Sequence, residues 1–308
     1  MFTTLLKFTS VRIALGILGV IAVFAVFGPL IAPYDPLQGT DSTLAHPSLQ
    51  HWLGTDYLGR DTLSRILAGA PVSVLSTVQV ALIALVVGAV PGILSVYLGR
   101  IFEWFTLRTV DTLIALPFLV FAVAMTALLG NGVTQAMLAV GLLISPLFYR
   151  VARSATLAVA QSQYVEAAIL SGASTGWIVR KHVWNKVLPP IAISLATTLG
   201  TGLVVIAALT FLGIGVQPPA PTWGGILASD LGYLVQRPYA PLFPVVLIVA
   251  TVWAFNLLAD AIRDAAGESG RTITGRKTAV RNKAQRLAAR DELLRHEARE
   301  EQELGAIR

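Results

Sequence analysis

Residues able to do chemistry are few in this sequence, and they sit between apolar stretches rather than in a catalytic set. One polar segment stands out: Tyr164-Val165-Glu166-Ala167-Ala168-Ile169-Leu170-Ser171-Gly172-Ala173-Ser174, continuing through Arg180-Lys181-His182 to Leu188-Pro189-Pro190. It carries one carboxylate, Glu166, and a basic cluster at Arg180-Lys181-His182. No Ser, His and Asp set accompanies them, since His182 lies on this segment and His296 near the end of the chain. His46 and His51 are five residues apart, cysteine is absent, and only Met125 and Met137 fall inside apolar stretches. A dedicated transition-metal path is therefore a poor fit. The chain also lacks the G-x-x-x-x-G-K-[ST] phosphate loop, so it is not expected to hydrolyse ATP itself.

The elements that would position Glu166 and Arg180 follow from local rules. Gln163 to Leu170 is rich in helix formers, Gly172 suits a left-handed C-terminal cap, and Ser174 can accept from the first N–H groups of a second helix. That second helix is expected to stop at Pro189-Pro190, because proline cannot donate and disfavours helix in the residue before it. By composition alone the same segment also suits a solvated loop between two membrane spans.

Membrane spans are what surround it. With 55% hydrophobic and 13% charged residues, the chain is far from the roughly 25% charged expected of a soluble domain. A span needs about 20 mostly apolar residues, and six stretches qualify: Val11 to Ala32, Val72 to Gly99, Thr109 to Leu129, Val133 to Val151, Ile191 to Leu212 and Pro241 to Ile262. The first is too long for a signal peptide and lacks a small-residue cleavage site before Pro33-Tyr34. With the N-terminus inside, 20 of the 23 Lys and Arg residues fall on cytoplasmic segments, and Arg60, Arg65 and Arg237 fall outside. Glu166 is then cytoplasmic. The basic balance reflects span ends and a tail, not a nucleic-acid surface.

Other features qualify the spans. The second holds Gly88, Pro91 and Gly92, which predict a kink at a packing or translocation face, and Gln79, which suits an interhelical hydrogen bond. Arg108 and Asp111 flank the third, and Pro117 is placed to bend it. No lone charge sits at a span centre, which argues against a proton-coupled pump or a voltage sensor. Outside, turn residues lead into a short amphipathic helix from Asp61, with Asp61 and Arg65 spaced to pair and Trp52 and Tyr57 suited to the membrane interface. Prolines 218, 219 and 221 and glycines 213, 215, 224 and 225 exclude regular helix after the fifth span. Asp260 and Asp264 bracket Arg263 at the inner end of the sixth. The reading is a six-span unit over residues 1–267 and a charged cytoplasmic tail over 268–308, part of which can lie on anionic lipid.

The wording of three segments resembles one family, over roughly Val11 to Asp264. Glu166-Ala167-Ala168, three residues, Gly172, and later Leu188-Pro189 resemble the EAA loop of ATP-binding-cassette (ABC) importer permeases, with Asn185 where peptide-class relatives usually carry proline. Leu53-Gly54-Thr55-Asp56-Tyr57-Leu58-Gly59-Arg60-Asp61 resembles the N-terminal signature of the dipeptide, oligopeptide and nickel branch, and Phe211 to Gly224 resembles its proline-rich outer segment. The Asp-Pro-Arg that usually follows the last span is missing. The resemblance implies an all-α type I importer fold and a C-type permease subunit carrying di- or oligopeptides or a related solute such as haem. It implies a homologous B-type permease, two ATPases or one fused pair that supply ATP and Mg, an extracytoplasmic binding protein, and a bacterial or archaeal plasma membrane with both termini cytoplasmic. By the same resemblance Glu166, Ala167, Ala168, Gly172, Ala173, Ser174 and Arg180 would contact the ATPases. Asp56, Gly59, Arg60, Asp61, Gln217, Pro218 and Trp223 would lie on loops facing the binding protein. A stand-alone channel or secondary transporter is the alternative from another class, although no convincing internal repeat supports it.

Overall fold

A computed structural model describes residues 9–130 and 132–267. The chain divides into two compact units between Arg263 and Asp264, and of the second only residues 264–267 are described. The tail from residue 268 lies outside them. Among the described residues the only β pairing is a single bridge from Thr55 to Asp61.

Five helices among the described residues are long and apolar enough to cross a membrane: α1 (Thr9–Ile31), α2 (Thr62–Leu94), α5 (Val133–Ala160), the stretch Thr175–Phe211, and α10 (Leu242–Gly267). The sixth expected span is broken. Pro117 offers no N–H and holds Leu116 extended (φ −77°, ψ 132°), so α3 (Arg100–Ala115) and α4 (Phe118–Leu129) meet at 101°. Twelve residues of helix reach only about 18 Å, short of a hydrocarbon core of about 30 Å, so α4 alone does not span.

Two other boundaries differ from expectation because long-range packing outweighs local signals. α2 begins ten residues before Val72, so no separate amphipathic helix follows Asp61. Pro71 lies inside α2 and leaves the Leu67 carbonyl without its usual donor, and Gly28 of α1 packs directly against that carbonyl. The helix after Ser174 also does not stop at Pro189-Pro190. It runs as α7 (Thr175–Ile178), a π turn (Val179–Val183) and α8 (Trp184–Phe211), with both prolines inside α8. The carbonyls they orphan belong to Asn185 and Lys186, exposed residues whose backbone water can satisfy.

The most extensive packing is of α2 against α5. Gly88 and Gly92 explain it, since a Cβ at either would collide with the α5 backbone around Ser145 and Tyr149. These residues therefore serve a packing face. Gln79 makes no hydrogen bond to any described residue, so the expected interhelical bond is not formed within this chain. One core cluster joins Ala84, Ala89 and Ile93 of α2 to Phe148 and Ala152 of α5 and Val183, Val187 and Ile191 near the start of α8. A second joins Val80, Met137, Val140, Ile206 and Leu209 with Ala122 of α4.

Candidate functional site

The polar segment folds as two short helices set on the first of these clusters. α6 spans Gln163–Leu170, as its residue types predict. Gly172 stands at φ +80°, its N–H donates to the Ile169 carbonyl, and the Ala173 N–H donates to that of Ala168. That pair of bonds is a Schellman cap. Ser174 then caps α7, its Oγ accepting from the Trp177 N–H at 3.4 Å.

Apolar anchors fix the pair to the body, with Val165 from α6 and Ile178 from α7 both buried in the cluster and Ala173 packed against it. His182 adds a tie that residue types alone did not suggest. Its ring lies 5.5 Å from that of Tyr164 and 5.2 Å from that of Trp177, bridging α6, the π turn and α7. The outward side is left bare. Glu166, Ala167, Gly172, Ser174 and Arg180 are exposed, Ala168 is half-buried, and neither Glu166 nor Arg180 has an ion-pair partner among the described residues. Leu170 is 84% exposed beside exposed Ile169 and Trp177, an apolar tip that a free surface does not favour. This side thus combines two charges that have no ion-pair partner among the described residues with uncovered apolar side chains.

The two segments expected on the outer side meet each other, and most of their expected surface residues are buried. Asp56 Oδ1 accepts from the Leu58 and Arg60 N–H groups, while Oδ2 accepts from Arg60 Nε at 2.8 Å and lies 2.7 Å from Arg60 Nη2 and 3.5 Å from Arg65 Nε. The expected pairing of Asp61 with Arg65 does not occur. Asp61 caps α2 instead, accepting from Ser64 N–H and Oγ and from His51 Nδ1, because a helix start offers unpaired donors at shorter range. Arg108 likewise leaves Asp111 to Arg150, at 3.6 Å.

Arg237, fully buried, holds this face together from across the chain. It donates to the carbonyls of Thr55 and Leu53 and to Thr62 Oγ1. Asp230, on α9 (Trp223–Leu231), is buried with Oδ2 unpartnered, and desolvation pushes its carboxyl up to about 6 against the opposing pull of Arg237. Trp223 is also fully buried, its indole donating to the Ile66 carbonyl and its backbone N–H to Ser73 Oγ. Asp56, Gly59, Arg60, Asp61 and Trp223 therefore build this end of the molecule without forming its surface, whereas Gln217, Pro218 and Leu58 are exposed. Nothing local marks Arg237 in the sequence, since its partners lie up to 184 residues away.

Comparison with known proteins places the chain in a family and a fold. Residues 82–268 match the family described as binding-protein-dependent transport system inner membrane component, and residues 4–49 match the N-terminal transmembrane domain of oligopeptide transport permease C. The glutathione transport system permease protein GsiD of Shigella dysenteriae is 37% identical over 245 residues, covering 79% of this chain and 81% of the relative. Its Escherichia coli O157:H7 counterpart matches to the same extent. In fold, the chain is similar to the inward-facing MetNI methionine ABC transporter, with a TM-score of 0.53 at 22% identity over 64% of this chain and 94% of that one. A second crystal form of that transporter gives the same score at 23% identity.

Proposed function

The chain belongs to the binding-protein-dependent inner-membrane permeases of ABC importers, and from that premise we propose that α6 and α7 are the helices by which it docks on cytoplasmic ATPases. It is a multi-pass permease subunit with the all-α type I fold. The observation that carries the docking is the bare side of the helix pair, where Glu166, Arg180 and Leu170 lack partners while the opposite side is anchored in the core.

Alternating access requires that closure of the ATPases be felt at the pore. A push on α6 and α7 passes through Val165 and Ile178 into α2, α5 and the continuous helix ending at Phe211. Because packed helices shift as units rather than deform, this linkage can move the translocation path. ATP and Mg act on the partner ATPases, two chains or one fused pair, with a B-type permease completing the path and an extracytoplasmic binding protein delivering solute. The relatives are named for glutathione, itself a modified tripeptide, and with the C-type N-terminal segment this supports a di- or oligopeptide cargo.

Orientation follows from the Lys and Arg asymmetry, with both termini and Glu166 cytoplasmic. Asp56 is buried, so exposed Leu58 is the better reporter of the outer side. In this cysteine-free chain, an impermeant thiol reagent is expected to label Leu58→Cys in intact cells and Ser174→Cys only after permeabilisation. Labelling in the opposite order would reverse the topology and remove the docking surface from the ATPases.

A further inference from the structure

The two outer segments enclose a recessed cavity of about 300 Å³, lined by Tyr57, Arg60 and Arg65 on one wall and by Phe211, Pro218 and Ala228 on the other. Its size is at the lower end of small-molecule sites, which run from about 300 to 1,000 Å³. Arg60 and Arg65 are 5% and 7% exposed, yet both line this space and share a single carboxylate, Asp56. Arg60 commits Nε and Nη2 to it, and Arg65 gives Nη1 to the Pro36 carbonyl at 3.0 Å. Nη1 of Arg60 and Nη2 of Arg65 carry no hydrogen bond among the described residues. Asp61 is spent on the α2 cap and His51, whereas Asp230, next to the lining residue Ser229, acts electrostatically on Arg65 and is itself drawn on by Arg237.

We propose that this cavity is a carboxylate site, which takes the free C-terminal carboxylate of the peptide solute on the unused guanidinium N–H groups of Arg60 and Arg65. The two unused guanidinium N–H groups offer a bound carboxylate charge-assisted hydrogen bonds, which are stronger where water is partly excluded. The opposite wall mixes small residues, glycines at 213 and 225 and alanines at 220 and 228, with Phe211, Thr210, Thr222 and Ser229, so the residue next to the carboxylate has room beside the glycines and alanines. Both segments that set the family apart thus meet on one ligand. The proposal rests on the peptide reading above and adds a contact made by the permease itself.

The test uses the intact permease–ATPase assembly in lipid nanodiscs without binding protein, with radiolabelled Ala-Ala-Ala and its C-terminal amide as probes. Saturable binding of the acid is expected, with the amide at least tenfold weaker. Arg60→Gln should lower acid binding at least tenfold, and Ala228→Leu, which fills the cavity and leaves the charge cluster intact, should do the same. Equal binding of acid and amide, unchanged binding in Ala228→Leu, or no saturable binding would each overturn the proposal. Uptake of Ala-Ala-Ala into vesicles with binding protein separates two failures: normal uptake confines the error to the cavity, and absent uptake removes the peptide reading as well.

Discussion

Replacing Gly172 by Leu is expected to lower solute uptake tenfold or more, and binding-protein-stimulated ATP hydrolysis with it, while membrane insertion stays normal. Gly172 sits at φ +80°, where any side chain costs roughly 1–2 kcal/mol. Its chain neighbours aside, no atom of the described residues lies within 4 Å of the position a Cβ would take, so among them the cost is confined to the backbone. Gly172→Ala separates the two contributions. It carries the backbone strain without the bulk, and a mild loss with Ala beside a severe one with Leu means that the added volume meets a partner. Glu166→Ala should be milder still, because an exposed ion pair contributes about 0–1 kcal/mol. Equal, small effects of Leu and Ala on reconstituted hydrolysis would show that nothing docks there.

The second large effect is expected at the opposite face. Asp56→Ala leaves the buried guanidiniums of Arg60 and Arg65 without their shared carboxylate and strands the N–H groups of Leu58 and Arg60. Breaking a buried pair in this way costs about 3–5 kcal/mol. The outer segment from Thr40 to Arg60, held by bonds that converge on this residue, should open. Proteolysis at exposed Leu58 should accelerate, and stimulation by the binding protein should be lost. Co-purification of the ATPases should persist, since the inner helix pair shares no residue with this cluster. Unchanged proteolysis would mean that the outer face is held by other contacts, Arg237 first among them.

How far the structure was legible in the sequence depends on the range of the interactions concerned. The limits of α6, the left-handed Gly172 and the Ser174 cap depend on neighbours within five residues, and residue types place them correctly. Pro117 was expected to bend its helix, yet the size of the break, 101°, depends on how α4 packs on α5. Pro189 and Pro190 read as helix stops but lie inside α8, as Pro71 lies inside α2, because the orphaned carbonyls find glycine or solvent and the apolar faces remain worth burying. Asp61 and Arg65 have the spacing of a helix pair, and the N-terminal donors of α2 outbid Arg65. The tie from His182 to Tyr164 and Trp177 and the reach of Arg237 to Thr55 were not legible, since no local periodicity encodes them.

The docking of α6 and α7 on an ATPase is tested most directly by cross-linking. Single cysteines at Ala167 and Leu170, both exposed, can be introduced into this cysteine-free chain and treated with a short thiol-to-amine reagent in the assembled complex. Adducts with an ATPase subunit are expected from both positions, and none from a cysteine at Leu58. An intact assembly that yields no ATPase adduct from either position, or yields one from Leu58, would contradict the account.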